Sequence, residues 1–238
     1  MVKLEREEAP DFWTEEKVQE WTERWQAKEC KSKRWGWPQH DKKRLNHHAI
    51  EAMEGWHHFK CAFCEKREPN PDVEHFKPKT ADNGIHAFTW ENLLLSCSDC
   101  NTDSKGSKLP ENALKPDVDK PSDYLWVNPI SLTVEPIPGI DSAARLRAEK
   151  TISLFGLDRP ELKILYYDHL RHLAQQINPP MLSRASITPP IELTWFTQFV
   201  IENSETILAK AAPSEPFSLM VQYVVKRILR PVQEANHE

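Results

Sequence analysis

Two Cys-x-x-Cys pairs, Cys61/Cys64 and Cys97/Cys100, constrain this 238-residue chain more than any other feature; Cys30 is left alone. Thiolates are preferred zinc ligands, and two such pairs a few tens of residues apart are the expected donors of a tetrahedral four-cysteine zinc site. Two disulfides explain the spacing less well, because cytoplasmic thiols stay reduced. A redox role for one pair would leave the other unexplained. Cys30 reads as a small buried hydrophobe. A zinc here ties the stretch after Phe59 to the one ending near Asn101. It thereby closes a loop on a segment too short to build a core of its own.

Inside that loop lies VEHFKPK, residues 73–79. On a strand, Glu74 and His75 point to opposite faces, so they cannot share one hydrophobic neighbour. FTWENLLLSCSDCNTDSKGSK follows, with a turn into a short apolar strand over 88–95 and a short helix expected from Cys100 onward.

Composition narrows the class. No run approaches the roughly 20 apolar residues of a membrane helix, and the first ten residues, MVKLEREEAP, have no apolar signal core. A cytoplasmic location is expected. Nineteen prolines and nine tryptophans against six glycines suggest a helical protein with stiff connections. The formal charge of -5 argues against nucleic acid as a partner, yet residues 28–48 hold seven basic side chains against two acidic ones, with Trp35 and Trp37 interleaved. That stretch, with Lys42, Lys43 and Arg44 at its end, is either a solvated charge run or a phosphate-facing patch.

Outside the loop the chain reads as helical. Thr14 can cap a first helix that carries Glu15 and Glu16 in its first turn and buries Trp21 and Trp25. His47, His48, His57 and His58 fall on a helix expected to end near Phe59, as surface or phosphate-contacting groups. Residues 123–139 read as a hairpin. Ala144, Ala148, Ile152 and Phe155 mark a helix over 142–156. DRPE at 158–161 opens another helix, with His169 and His172 at its core edge. Two more helices are expected around 193–200 and 217–229, with apolar faces large enough to dock a partner or a second copy.

Taken together, CAFCEK, VEHFKPK and WENLLLSCSDCN resemble the HNH endonucleases, in their branch with a four-cysteine zinc around a ββα-metal motif. The resemblance implies an α+β fold, mostly helical, with a zinc-stapled ββα-metal module over 61–115. A helical leader with the basic patch (1–60) and a hairpin plus helical region (116–238) flank it. It implies structural Zn2+ on Cys61, Cys64, Cys97 and Cys100, and catalytic Mg2+ or Mn2+ on Glu74 and Asn101. His75 matches the general base and Asn92 the asparagine that braces its loop. Asn101 stands where many members carry a final histidine. Lys77 and Lys105 join Lys42, Lys43 and Arg44 as expected nucleic-acid contacts. The chemistry is coherent by itself: a neutral imidazole can take a proton from water, and a carboxylate with an amide oxygen suits Mg2+.

With the Trp-rich leader and TISLFGLDRPEL, the chain resembles the PtuB-like nuclease subunits of Septu-type and retron-linked anti-phage defence systems. That implies nucleic acid, DNA before RNA, as substrate. It also implies an ABC/SMC-like ATPase as partner, room for a homodimer within the complex, and no membrane. A stand-alone restriction-type nuclease and a non-catalytic zinc-ribbon binding module are the alternatives.

Overall fold

The computed structural model describes residues 1–28, 36–128, 131–177 and 203–209, with positions 212, 214, 215, 217 and 221. Helix α1 spans Glu15–Lys28 and carries Glu15 and Glu16 at the positive end of its dipole. The Thr14 hydroxyl accepts the Lys17 N–H at 3.3 Å, which caps the first turn. Trp21 and Trp25, one turn apart, are buried as expected. Trp13 packs edge-on against Trp21 and donates its indole N–H to the Phe88 carbonyl at 2.8 Å. The leader is thus bonded to the loop that precedes the second cysteine pair.

Strands β1 (Gln39–His40) and β2 (Lys43–Arg44) pair antiparallel through a two-residue turn, Asp41-Lys42. Both turn residues are left-handed, with φ of 49° and 66°. This is the mirror-image turn whose twist suits a tight hairpin. Helix α2 (Leu45–Glu54) then buries Leu45, Ala49 and Met53 along one stripe. It stops short of Phe59, and His57 lies in the following turns, fully buried. The surface or phosphate-contacting role expected of His57 is overturned, because its Nε2 accepts the Leu95 N–H at 3.4 Å inside the core.

Strand β3 (Asp72–His75) pairs antiparallel with β4 (Leu93–Ser96), placing Glu74 opposite Leu94 and His75 opposite Leu93. All four β4 residues are buried, since α2 packs on the pair. The chain then enters a π-helix, Asp99–Lys105, where a short ordinary helix was expected. The Gly106 N–H reaches back five residues to the Asn101 carbonyl at 2.6 Å. In an α-helix, positions five apart lie about 140° apart around the axis. The wider π turn narrows that angle, and Cys100 and Lys105 are both buried.

Strands β5 (Leu125–Val127) and β6 (Val134–Pro136) form the expected hairpin. Helix α3 (Ser142–Phe155) is capped by Asp141, whose carboxylate accepts the Ala143 and Ala144 N–H groups at 2.9 Å each. Gly156, left-handed, ends it. Ala148, Ile152 and Phe155 are buried, whereas Ala144 is half-buried. Phe155 stacks on Phe63, between the first two cysteines, with ring centroids 3.7 Å apart. Helix α4 (Pro160–Ile177) opens on a proline, whose missing N–H is harmless in a first turn. His169 packs edge-on against Phe217, and His172 is exposed. Helix α5 (Ser204–Ala209) follows. The helices expected around 193–200 and 217–229 lie outside the described residues, apart from Phe217 and Val221, both buried.

Among the described residues, three two-stranded sheets and the helices make a mixed α and β architecture. One buried cluster runs from Trp13 through β4 to Phe155 and Tyr166, and residues of all three expected segments share it. Among the described residues, no helix is long and apolar enough to cross a membrane.

The junction of α3 with the π-helix is tight. A Cβ on Gly156 would collide with the Ser104 side chain, and the residue sits at φ +56°. Gly156→Ala should therefore lower stability by about 1–3 kcal/mol in urea melts. Adding Ser104→Gly should recover the part due to collision and leave the part due to backbone strain.

Candidate metal centre and active site

The four cysteines converge at one end of β4. Their Sγ atoms all lie within 4.8 Å of one another, each buried. Cys64 and Cys97 Sγ are 3.7 Å apart, close to the roughly 3.8 Å that a tetrahedron with zinc–sulfur bonds of about 2.3 Å requires. The first pair sits on a tight turn: the Cys61 N–H bonds the Lys66 carbonyl at 2.9 Å, with Glu65 left-handed. The second pair spans the step from β4 into the π-helix. This buried cluster could hold a zinc ion.

Four thiolates on one zinc leave a net charge of about -2, and two cations stand beside them. Arg159 approaches Cys100 Sγ at 3.5 Å and Asp99 at 3.5 Å, while Lys66 reaches Asp99 at 3.4 Å. Burial opposes charge on both, yet Cys97 and Asp99 hold Lys66 above its ordinary pKa. Cys100 and Cys64 do the same for Arg159. Sequence reasoning missed Arg159, whose position beside the thiols comes from the docking of α3 and α4 and leaves no periodic signal.

The other end of the β3–β4 pair carries a second constellation. Glu74 is 2% exposed, and its Oε1 lies 2.6 Å from Lys105 Nζ. Lys105, itself 1% exposed, also donates to the His75 carbonyl at 2.9 Å. Burial pushes the Glu74 carboxyl up to about 7, against the pull of Lys105. Lys105 was expected among the nucleic-acid contacts. It lies inside the protein instead, because the π turn aims it at β3 alongside Cys100.

His75 Nε2 lies 2.9 Å from the Ala87 carbonyl. A carbonyl only accepts, so Nε2 carries the proton and Nδ1 is the basic atom. Trp37 stacks on the imidazole, with centroids 5.2 Å apart and planes 18° apart. Burial lowers the His75 pKa to about 3, with the Ala87 bond opposing, so the ring is neutral near pH 7. Trp37 had been read only as part of the basic stretch; nothing in the local pattern announces that it folds back over the imidazole.

Asn92 closes the arrangement. Its side chain accepts the Lys77 N–H at 2.7 Å and donates to the Lys77 and His86 carbonyls at 2.9 Å each. The long loop between β3 and β4 is thereby tied at two points. Glu74, His75, Asn92 and Lys105 share this end of the sheet, and Asn101 stands half-buried on the π-helix that supplies Lys105. Lys77 is exposed, as are Lys42 and Arg44 on the β1–β2 hairpin, while Lys43 pairs with Glu51. Cys30, Lys31, Lys33, Arg34 and Trp35, and the side chain of Lys28, lie outside the described residues.

Metal-washed protein should retain about one zinc per chain by elemental analysis. Cys97→Ser should lose it and melt with poor cooperativity, because the cluster ties the turn at Cys61 and Cys64 to the exit of β4 within the core. Retention of a full zinc equivalent by Cys97→Ser would remove this residue from the ligand set.

No family model matches the chain. It is similar to the Septu protein PtuB of Bacillus mycoides (strain KBAB4), 31% identical over 130 residues. The match covers 43% of this chain and 44% of that protein, so the chain spans less than half the length of the relative.

Proposed function

We propose that this chain is a metal-dependent endonuclease of the HNH type, hydrolysing phosphodiester bonds in nucleic acid, DNA before RNA. The observation that carries the reading is His75, a buried neutral imidazole whose Nε2–H is anchored on Ala87 O. The anchor fixes Nδ1 as the proton acceptor for an attacking water and shares the positive charge that develops on the ring. Asn92 keeps the loop bearing Ala87 at a constant distance from β3 and does no chemistry itself. Residues 61–115 form the nuclease module in this reading, with the leader and the C-terminal region as its supports.

Glu74 suits a divalent cation, since its buried carboxylate already takes a cationic group here. Asn101 offers an amide oxygen from the π-helix, and such oxygen donors favour Mg2+ or Mn2+. Bound there, the ion would neutralise the phosphoryl oxygens and stabilise the departing 3′ oxygen. Lys42, Arg44 and Lys77 are exposed to meet phosphates, with Lys43 beside them. Trp37 links the start of the hairpin to His75.

The similarity to a Septu protein supports a role in anti-phage defence. We extend that to an effector that acts with an ABC/SMC-like ATPase, within a complex that has room for two copies of this chain. The net charge of -5 accords with a partner that supplies much of the nucleic-acid affinity.

Two contrasts test this reading. His75→Ala should lower cleavage of plasmid DNA by about 10²–10⁴-fold, as for loss of a general base, while zinc content is kept and stability falls by about 1–3 kcal/mol, because the Ala87 carbonyl loses its buried partner. Asn92→Ala should lose activity together with about 2–4 kcal/mol of stability, because three hydrogen bonds go at once. Wild-type cleavage by His75→Ala would leave a zinc-ribbon binding module. For the hairpin, Lys42→Gly removes a charge from a left-handed position that glycine favours. It should raise stability by up to about 1 kcal/mol while weakening DNA binding and flattening its salt dependence. Unchanged binding would return the hairpin to plain solvated surface.

A further inference from the structure

Lys105 is not a bystander to the carboxylate proposed to bind the catalytic ion. Resting on that reading of Glu74, we propose that Lys105 is a resident cation that occupies the Glu74 carboxylate in the metal-free protein. The divalent ion has to take the carboxylate from it, and Lys105 is thus the positioning residue that sets the affinity of the site for metal.

Three observations carry this. First, Lys105 Nζ touches Glu74 Oε1 at 2.6 Å, with both side chains nearly inaccessible at 1% and 3%. A carboxylate so placed is costly without a positive partner, so the metal-free fold depends on the ammonium. Second, a divalent ion on the same carboxylate would put two cations around one anion where water cannot screen them. Either the ammonium withdraws or the ion binds more weakly. Third, withdrawal has somewhere to go: Lys105 Nζ also bonds the His75 carbonyl at 2.9 Å and lies 3.4 Å from the Gly106 carbonyl. The ammonium can release Glu74 while keeping two oxygen partners. The π-helix makes the arrangement possible, since its wide turn lets Cys100 face the thiol cluster and Lys105 face β3 from one short element. The half-buried Lys79 adds a weaker positive charge that also favours the Glu74 anion.

The test is Mn2+ binding to the zinc-loaded full chain, read by electron paramagnetic resonance or calorimetry, with zinc content and circular dichroism confirming each variant. Lys105→Gln keeps a hydrogen-bond donor and removes the charge; it should bind Mn2+ about tenfold tighter than wild type. Lys105→Arg can fork both carboxylate oxygens, and should bind Mn2+ about tenfold more weakly. Glu74→Gln should lose the site in either background. If Lys105→Gln binds no tighter while Glu74→Gln abolishes binding, the competitor role is wrong and the metal reading stands. If Glu74→Gln binds Mn2+ as wild type does, the metal reading fails and takes this proposal with it. Should Lys105→Gln not fold, Lys105→Arg decides alone, and wild-type affinity in that variant overturns the proposal.

Discussion

The convergence of four thiols at the end of β4 is the constraint on which the rest of the structure depends. Cys61 and Cys64 belong to a tight turn, and Cys97 and Cys100 to the exit of a strand, so their approach to within 4.8 Å sets how these pieces face one another. Two further contacts propagate that placement. Phe63, lying between the first two cysteines, stacks on Phe155 and docks α3. Arg159, just before α4, reaches Cys100 and Asp99. The C-terminal helices are therefore organised around the thiol cluster by one apolar and one electrostatic contact. Even so, the core of the protein is continuous from the leader to α4.

The π-helix translates that constraint to the second site. One face of Asp99–Lys105 must deliver Cys100 to the thiols, and the same element must deliver Lys105 to Glu74. An α-helix would place these side chains well apart around its axis. The wider turn joins the thiol cluster to the Glu74 end of the sheet through a single short element.

Water exclusion shapes the chemistry there. Burial raises Glu74, lowers His75 and brings both toward their neutral forms. Lys105 opposes this for Glu74, whereas Trp37 and Ala87 hold the imidazole in one orientation. A neutral imidazole held in one tautomer thus lies beside a carboxyl that a buried ammonium contacts.

Local pattern and chemical type were legible in the sequence. The cysteine spacing announced the thiol cluster, the LLLS run after Asn92 announced a buried strand, and the Thr14 cap follows a rule that acts within one helical turn. That Glu74 and His75 are neighbours on one short strand was legible as well. The tertiary structure decided what depends on distant partners. Lys105 meets the His75 carbonyl across thirty residues, Trp37 crosses to His75, His57 turns inward to serve the backbone of β4, and Arg159 comes to rest on Cys100. No periodicity encodes such meetings, because each is fixed by the packing of whole elements. A lysine in a polar stretch reads as solvated until the turn geometry that buries it is known.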